Sequence, residues 1–103
     1  MKKADVTFDP KRASALEVFS INFVRRLPAG DPIASALPVV VEVKKGPGPA
    51  SSLILDGAAT VSGTKVLQRV DAGAKDTVYL LTYTAVTASG ARIPVVAELE
   101  VIA

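Results

Sequence analysis

The sequence predicts an all-β domain in which two antiparallel sheets pack face to face as a sandwich of about seven strands. Extended segments recur along the chain, and Gly-, Pro- or Asp-containing turns separate them at a spacing of roughly 8 to 12 residues. The apolar half is rich in Val and Ala and contains no Trp, which is typical of thin layers of β-branched residues. The longest patterned stretch, residues 77–102, alternates with the period of two that a strand requires. A small closed barrel is the alternative architecture.

The length of 103 residues indicates one domain. A chain of this size removes roughly 65% of its unfolded surface from water, which is enough for a single core. We therefore assign residues 13–103 to the sandwich domain and residues 1–12 to an N-terminal arm.

The arm has alternating charge, and Val6 and Phe8 are its apolar contacts. Asp9 and Pro10 predict a turn or an extended bend. We expect a loose extended arm, and the alternative is an arm that docks on a neighbouring subunit through Phe8. Because the acidic residues and Pro10 interrupt any apolar stretch, no signal peptide is predicted.

The first core strand is predicted from residue 16 onward. Phe19, Ile21 and Phe23 alternate there with smaller or polar residues. Helix competes over residues 11–19 because Ala, Leu and Glu favour it, but the β-branched and aromatic run that follows favours strand.

Residues 25–32 form a predicted loop, since they contain two prolines and a glycine. The adjacent Arg25 and Arg26 could bind phosphate or a carboxylate-bearing surface, or they could be a solvated shoulder of the loop. Both possibilities place the two side chains on the surface.

The second strand is predicted over residues 33–43. Pro38 cannot donate to a sheet ladder, so this strand lies at an edge or breaks into two pieces near Pro38. Lys44 and Lys45 open the Gly- and Pro-rich segment 44–52, which we interpret as a mobile tip or a contact loop. Further short extended pieces are expected at residues 53–55, 58–61 and 65–70.

A long hairpin closes the chain, with its turn at residues 88–91. Tyr79 and Tyr83 share one face of the first arm, where they are either core residues with hydrogen-bonded hydroxyls or an exposed platform for sugar stacking. Each arm would reach roughly 40 Å at ~3.3 Å per residue. We therefore expect the tip at residues 88–92 to project beyond the body, or a bulge near Pro94 to bend the second arm.

Composition argues against several functional classes. The net charge of +2 falls far short of the basic stripe that nucleic-acid binding needs. The chain has no Cys and no His, which removes disulfides, thiolate metal sites and the commonest general base. No run approaches the ~20 apolar residues of a membrane helix. We expect no nucleic-acid or membrane partner, no metal and no cofactor.

Catalytic patterns are weak. Glu98 and Glu100 lie two apart on one strand face and could hold a hard cation, but the sequence indicates no further ligands, so a solvated outer face is favoured. The serines have no His partner, and no G-x-S-x-G element is present. We do not expect an enzyme.

Several short motifs occur in order along residues 9–102: Asp9-Pro10, Phe19-Ser20-Ile21-Asn22-Phe23, Gly30-Asp31-Pro32-Ile33-Ala34-Ser35, Gly73 before Tyr79-Leu80-Leu81-Thr82, and Thr87-Ala88-Ser89-Gly90-Ala91-Arg92. In these motifs the chain resembles the small immunoglobulin-like virion proteins of tailed bacteriophages known as fiber-tail adaptor proteins. It departs from them at Asn22, Phe23 and Pro32, where the family tends to have Asp, Trp and Thr.

The resemblance implies an immunoglobulin-like or fibronectin-III-like sandwich and a non-enzymatic structural protein of the virion, made in the bacterial host cytoplasm. It implies an adaptor at the head-tail junction or between tail and fibers, in multiple copies that contact portal, adaptor, tail or fiber subunits. The contact residues that we expect are Phe8, Arg25, Arg26, Lys44, Lys45, Ser89 and Arg92. The alternative is an immunoglobulin-like module that binds cell-surface glycans or proteins through exposed Tyr79 and Tyr83 or an open sheet edge at Pro38.

Overall fold

A computed structural model describes residues 4–103, so the first three residues of the predicted arm lie outside it. The described chain contains ten strand segments and one short 3-10 turn, Ala50–Ser52. The segments are β1 (Val6–Thr7), β2 (Lys11–Arg12), β3 (Glu17–Asn22), β4 (Ile33–Ala36), β5 (Val40–Lys45), β6 (Leu53–Leu55), β7 (Thr60–Ser62), β8 (Lys65–Ala72), β9 (Thr77–Thr87) and β10 (Arg92–Ile102). The all-β prediction is confirmed.

The segments form two sheets. The larger sheet has the order β1/β2, β10, β9, β4/β5, and the smaller sheet has the order β3, β8, β6/β7. Each slash joins two segments that pair with the same neighbour, so the ten segments occupy seven strand positions. Among the described residues no strand pairs across the two sheets, which excludes the closed barrel.

The break predicted at Pro38 is present. β4 ends at Ala36 and β5 begins at Val40, and both pair with β9 at the edge of the larger sheet. The proline therefore lies between two edge segments, where its missing N–H breaks no ladder hydrogen bond.

The closing hairpin is also present. The prediction of a bulge near Pro94 is wrong, because β10 pairs with β9 without a shift there. β9 and β10 keep one register from the pair Arg92–Val86 to the pair Val101–Thr77. The amide of Thr87 bonds the carbonyl of Ala91, so by strand alternation the nitrogen of Pro94 faces away from β9. It faces the side of β10 on which β1 lies, beyond Val6, the first residue of β1 that pairs.

The core lies between the sheets, on the faces that the alternation predicted. Tyr79, Leu81, Tyr83 and Ala85 of β9 and Val95, Ala97, Leu99 and Val101 of β10 are buried against Phe19, Ile21, Phe23, Val66 and Val70 of the smaller sheet. Tyr83 donates its hydroxyl hydrogen to the carbonyl of Phe19 across the core, at 3.0 Å. Burial raises the pKa of the Tyr83 hydroxyl. Both tyrosines have 0% exposure, so they are core residues and not a sugar-stacking platform.

The N-terminal arm is extended, as predicted, but residues 4–12 are not loose. β1 and β2 run parallel to β10 and form one edge of the larger sheet. The Phe8 ring lies 4.8 Å from the Phe19 ring and 6.0 Å from the Tyr83 ring, measured between centroids. Phe8 therefore packs against the core of its own chain while its ring remains only partly buried. Its contact with a neighbouring subunit stays a prediction.

Candidate protein-contact site

Apart from Phe8, which packs along the edge of the larger sheet, the predicted contact residues lie at opposite ends of the sandwich. The loop before β4 meets the tip of the β9–β10 hairpin, since the amide of Ala88 donates to the carbonyl of Pro32 at 2.9 Å. We call this region, residues 23–32 and 88–92, the hairpin end. Residues 45–52 instead contact the turn before β9, where the Gly48 amide donates to the Thr77 hydroxyl at 3.2 Å. The tertiary structure therefore separates Arg25, Arg26, Ser89 and Arg92 from Lys44 and Lys45.

A tight turn presents the two adjacent arginines. The amides of Arg26 and Leu27 both donate to the carbonyl of Phe23, at 2.8 and 3.1 Å. The side-chain oxygen of Asn22 accepts the amide hydrogen of Val24 at 3.0 Å, which closes the first bend. Because these bonds tie the turn to the end of β3, Arg25 and Arg26 leave the body from a defined backbone position, and both side chains are exposed.

Asp31 joins this loop to the hairpin tip. One carboxylate oxygen accepts the Ser89 amide hydrogen at 3.0 Å, and the other accepts the Ser89 hydroxyl hydrogen at 2.6 Å. The pKa of the Asp31 carboxyl is lowered most by the bond from the Ser89 hydroxyl and next by the bond from the Thr87 hydroxyl. Both bonds favour the charged form of the carboxyl. The tip is exposed, as expected, but it is fastened to the adjacent loop and does not project alone. Ser89, predicted as a contact residue, is one of the groups that fasten it.

The hairpin end is basic. Arg25, Arg26 and Arg92 are exposed there, and none forms an ion pair with a residue in the range 4–103. Asp31, the acidic residue of this end, already accepts two bonds from Ser89. Arginine guanidinium groups in such a position can form forked hydrogen bonds to carboxylates on another protein surface.

The lysines at the other end differ from each other. Lys44 donates to a carboxylate oxygen of Glu98 at 2.6 Å, so its charge is matched within the chain. Lys45 and Glu100 border the same shallow hollow of about 200 Å³ above Val78. Glu98 thus acts as the partner of a lysine and not as half of a cation site. Within residues 4–103 no three acidic side chains converge in a way that could hold a metal ion.

The smaller sheet has an apolar outer face that was not predicted from the sequence. Leu16, Val18 and Ile54 expose between 46% and 56% of their surface there. The sequence did contain a sign of this face. The alternation that buries Phe19 and Ile21 places Val18 on the outer side of the strand, where a polar residue is usual.

Comparison of the chain with protein-family models, curated proteins and solved structures found no match. Over residues 4–103 no helix has the length and apolar character needed to cross a membrane.

Proposed function

We propose that the chain is a non-enzymatic structural protein of a tailed-bacteriophage virion that joins neighbouring subunits through its hairpin end. The virion role rests on the motif resemblance along residues 9–102. The observation that carries the contact is a set of exposed arginines, Arg25, Arg26 and Arg92, that form no ion pair within residues 4–103. They lie on two loops that the bonds between Asp31 and Ser89 hold together. Because the backbone of these loops is fixed before binding, its ordering adds no further conformational-entropy cost to a protein contact.

The strand order supports the immunoglobulin-like part of the proposal. Numbered by position along the chain, the second, fifth and fourth strands form the smaller sheet, and the third, sixth and seventh lie together in the larger one. This is the division of strands B, E, D and C, F, G in immunoglobulin domains. The first strand differs from the constant-type arrangement, because β1/β2 runs parallel to β10 instead of beside β3.

A tyrosine at the corner between β8 and β9 gives further support. The Tyr79 hydroxyl accepts the amide hydrogen of Ala74, five residues upstream, at 2.8 Å, and it lies 2.5 Å from the Ser52 hydroxyl. Immunoglobulin-type sandwiches use a tyrosine in this way near the start of their sixth strand.

In the proposed particle, copies of the chain contact portal, adaptor, tail or fiber subunits around a symmetry axis. The arginines of the hairpin end favour an acidic partner surface. The chain would be made in the bacterial cytoplasm and incorporated into the virion during assembly.

Incorporation into particles tests the proposal. A phage from whose genome the gene for this chain has been deleted is grown in a host that expresses either the wild-type chain or a variant with both Arg25→Glu and Arg26→Glu. Quantitative mass spectrometry then counts the copies of the chain in each purified particle. We expect the charge-reversed variant to lose at least about tenfold in occupancy, the equivalent of roughly 1.4 kcal/mol of contact.

A variant with Lys45→Glu and Lys75→Glu is the matched control, since it reverses the same number of charges at the opposite end. Equal melting temperatures of the three proteins establish that folding is unchanged. Absence of the wild-type chain from purified particles overturns the virion role. Normal occupancy of the Arg25/Arg26 variant overturns the contact at the hairpin end.

The glycan- or protein-binding module is the second candidate function. Burial of Tyr79 and Tyr83 removes its tyrosine platform, and the feature that favours it is the open edge around Pro38, where Val40 is 55% exposed. Clear hits of the isolated chain on a glycan or peptide array, together with its absence from particles, would favour this function.

A further inference from the structure

At one edge of the smaller sheet, no segment within residues 4–103 pairs with the outer side of β3. The other edge positions are interrupted: β1/β2 by Asp9-Pro10, β4/β5 around Pro38, and β6/β7 by Asp56-Gly57. β3 runs without a break over Glu17–Asn22 and contains no Pro, Gly or Lys. Proteins usually blunt such edges with these residues or with bulges, because a bare edge is a template for another strand.

The backbone groups at this edge can be assigned from the register. The Phe23 amide donates to the Thr64 carbonyl at 2.8 Å and continues the pairing of β3 with β8. Because alternate residues of an antiparallel strand bond to the same side, the odd-numbered residues of β3 face β8. The N–H and C=O groups of Val18, Ser20 and Asn22 therefore point to the open edge.

An apolar surface adjoins the edge. The side chain of Val18 is 56% exposed and borders a hollow of about 190 Å³ with Ala58, Thr60, Leu67 and Arg69. A strand added beside β3 would cover Val18 and extend this surface. Exposed apolar area next to unpaired backbone groups is the combination that strand addition uses.

We propose that two copies of this chain pair antiparallel through β3, with Ser20 on the two-fold axis, so that their smaller sheets become one continuous sheet. About this centre Val18 of one copy lies opposite Asn22 of the other. Val18, Ser20 and Asn22, whose backbone groups face the edge, then lie opposite one another across the two copies. Such pairs can exchange the hydrogen bonds of an antiparallel ladder. The contact is isologous and closes as a dimer.

Charge favours a second copy in this orientation. Glu17 lies at one end of β3, and Arg25 and Arg26 follow its other end. Antiparallel pairing brings the acidic end of each copy toward the basic end of the other, whereas a parallel arrangement would bring like charges together. The pairing and the proposed virion contact both involve Arg25 and Arg26. The Ser20 and Val18 variants leave both arginines in place, so either proposal can fail without the other.

Proline and lysine substitutions at the edge test the pairing. Ser20→Pro removes an N–H that faces the edge and leaves the bonds to β8 in place, and Ser20→Thr is its control because it keeps the N–H. Val18→Lys places a charge beside the edge, and Ile54→Lys is its control because Ile54 is exposed on the same face at the opposite edge. Val18→Lys keeps the test decisive if the proline variant does not fold.

Sedimentation equilibrium from micromolar to millimolar concentration gives the readout. We expect the wild-type mass to rise from 10.6 kDa toward twice that value. Ser20→Pro and Val18→Lys should raise the dimer dissociation constant at least about tenfold, and the two controls should match the wild type. A wild type that stays monomeric overturns the pairing and leaves β3 as an edge for a strand of another protein. Equal association of Val18→Lys and the wild type also overturns it.

Discussion

The ammonium group of Lys11 donates to the carbonyl of Ala72, 61 residues later in the chain, at 2.5 Å. Lys11 has 0% exposure and also donates to its own neighbour, the Arg12 carbonyl, at 2.8 Å. Ala72 has a φ of 56°, a backbone conformation that few non-glycine residues adopt. Through this contact the N-terminal arm holds the end of β8, so the arm is part of the fold.

Removing the Lys11 ammonium should destabilise the protein. Lys11→Met keeps the length of the side chain but leaves two carbonyl groups without their charged donor, so we expect a loss of about 2 kcal/mol in unfolding free energy at neutral pH. Urea denaturation measures the loss. Lys75→Met, at an exposed lysine, is the control and should have little effect.

The Lys11 contribution should also depend on pH. Burial lowers the pKa of Lys11 below its ordinary 10.5, although Asp71 and Glu17 oppose the shift. The unfolded chain then binds more protons than the folded chain between the lowered pKa and 10.5, so folding stability rises with pH across that window. The difference in unfolding free energy between wild type and Lys11→Met should widen as pH approaches 10.5. A constant difference would contradict the burial of the amine.

Phe8 should contribute to stability within the chain. Its half-buried ring contacts the rings of Phe19 and Tyr83, so Phe8→Ala should cost about 2 kcal/mol, less than the ~3–5 kcal/mol of a fully buried phenylalanine. Thermal unfolding followed by circular dichroism measures the loss, and Phe8→Leu should lose less. Deletion of residues 1–12 should likewise destabilise the domain. A truncated chain with the wild-type melting temperature would return Phe8 to the role of an intermolecular contact.

Gly73 should tolerate no side chain. Its φ is 112°, and an added Cβ would lie 2.9 Å from a methyl group of Val101 and 3.1 Å from one of Leu53. Gly73→Ala should therefore cost about 2 to 4 kcal/mol, from backbone strain and overpacking together. Gly57→Ala separates the two causes, since Gly57 has a φ of 85° but open space around it. We expect a loss of about 1 kcal/mol there, and equal losses in the two variants would rule out the crowding.

Protonation of Asp31 should break its bonds to the hairpin tip. The pKa of Asp31 in the folded protein lies below the ordinary 3.8. The bonds to Ser89 are therefore still present at pH 3.8 and are lost only when the pH falls through the pKa of the folded state. The Ser89 amide resonance in NMR spectra should report a midpoint below 3.8. Ser89→Ala, followed through the Gly90 amide, should move the midpoint upward because the hydroxyl is the largest cause of the shift. Ser51→Ala is the control and should leave it unchanged.

Thr82 offers a stabilising substitution. Its hydroxyl oxygen is buried and has no hydrogen-bond partner among residues 4–103. Thr82→Val removes this unpaired group and keeps the shape of the side chain, so we expect a gain of about 1 kcal/mol in unfolding free energy. Thr84→Val, at the next outward position of β9, should gain less. A destabilised Thr82→Val variant would show that the hydroxyl has a partner, such as a bound water.

Sequence patterns predicted the strands wherever one side of the segment is apolar. The alternation in residues 77–102 located β9, β10 and the turn between them, and Pro38 located the break between β4 and β5. These features are local, since the period of a strand and the missing N–H of a proline act over a few residues.

The candidate site was only partly predictable. The exposure of Arg25, Arg26 and Arg92 follows from their loop composition, but their separation from Lys44 and Lys45 depends on which strands are neighbours. The sequence likewise contained no sign that Asp31 fastens Ser89, 58 residues later.

By itself the sequence determined the all-β class, the inward faces of β3, β9 and β10, and the positions of the main turns, because side-chain alternation encodes which side of a strand avoids water. The tertiary structure alone decided that the arm pairs with β10, that Lys11 is buried against Ala72, and that no segment of residues 4–103 pairs with the outer edge of β3. Each of these depends on contacts between distant segments, and no local pattern specifies the partner of a strand edge or of a buried charge.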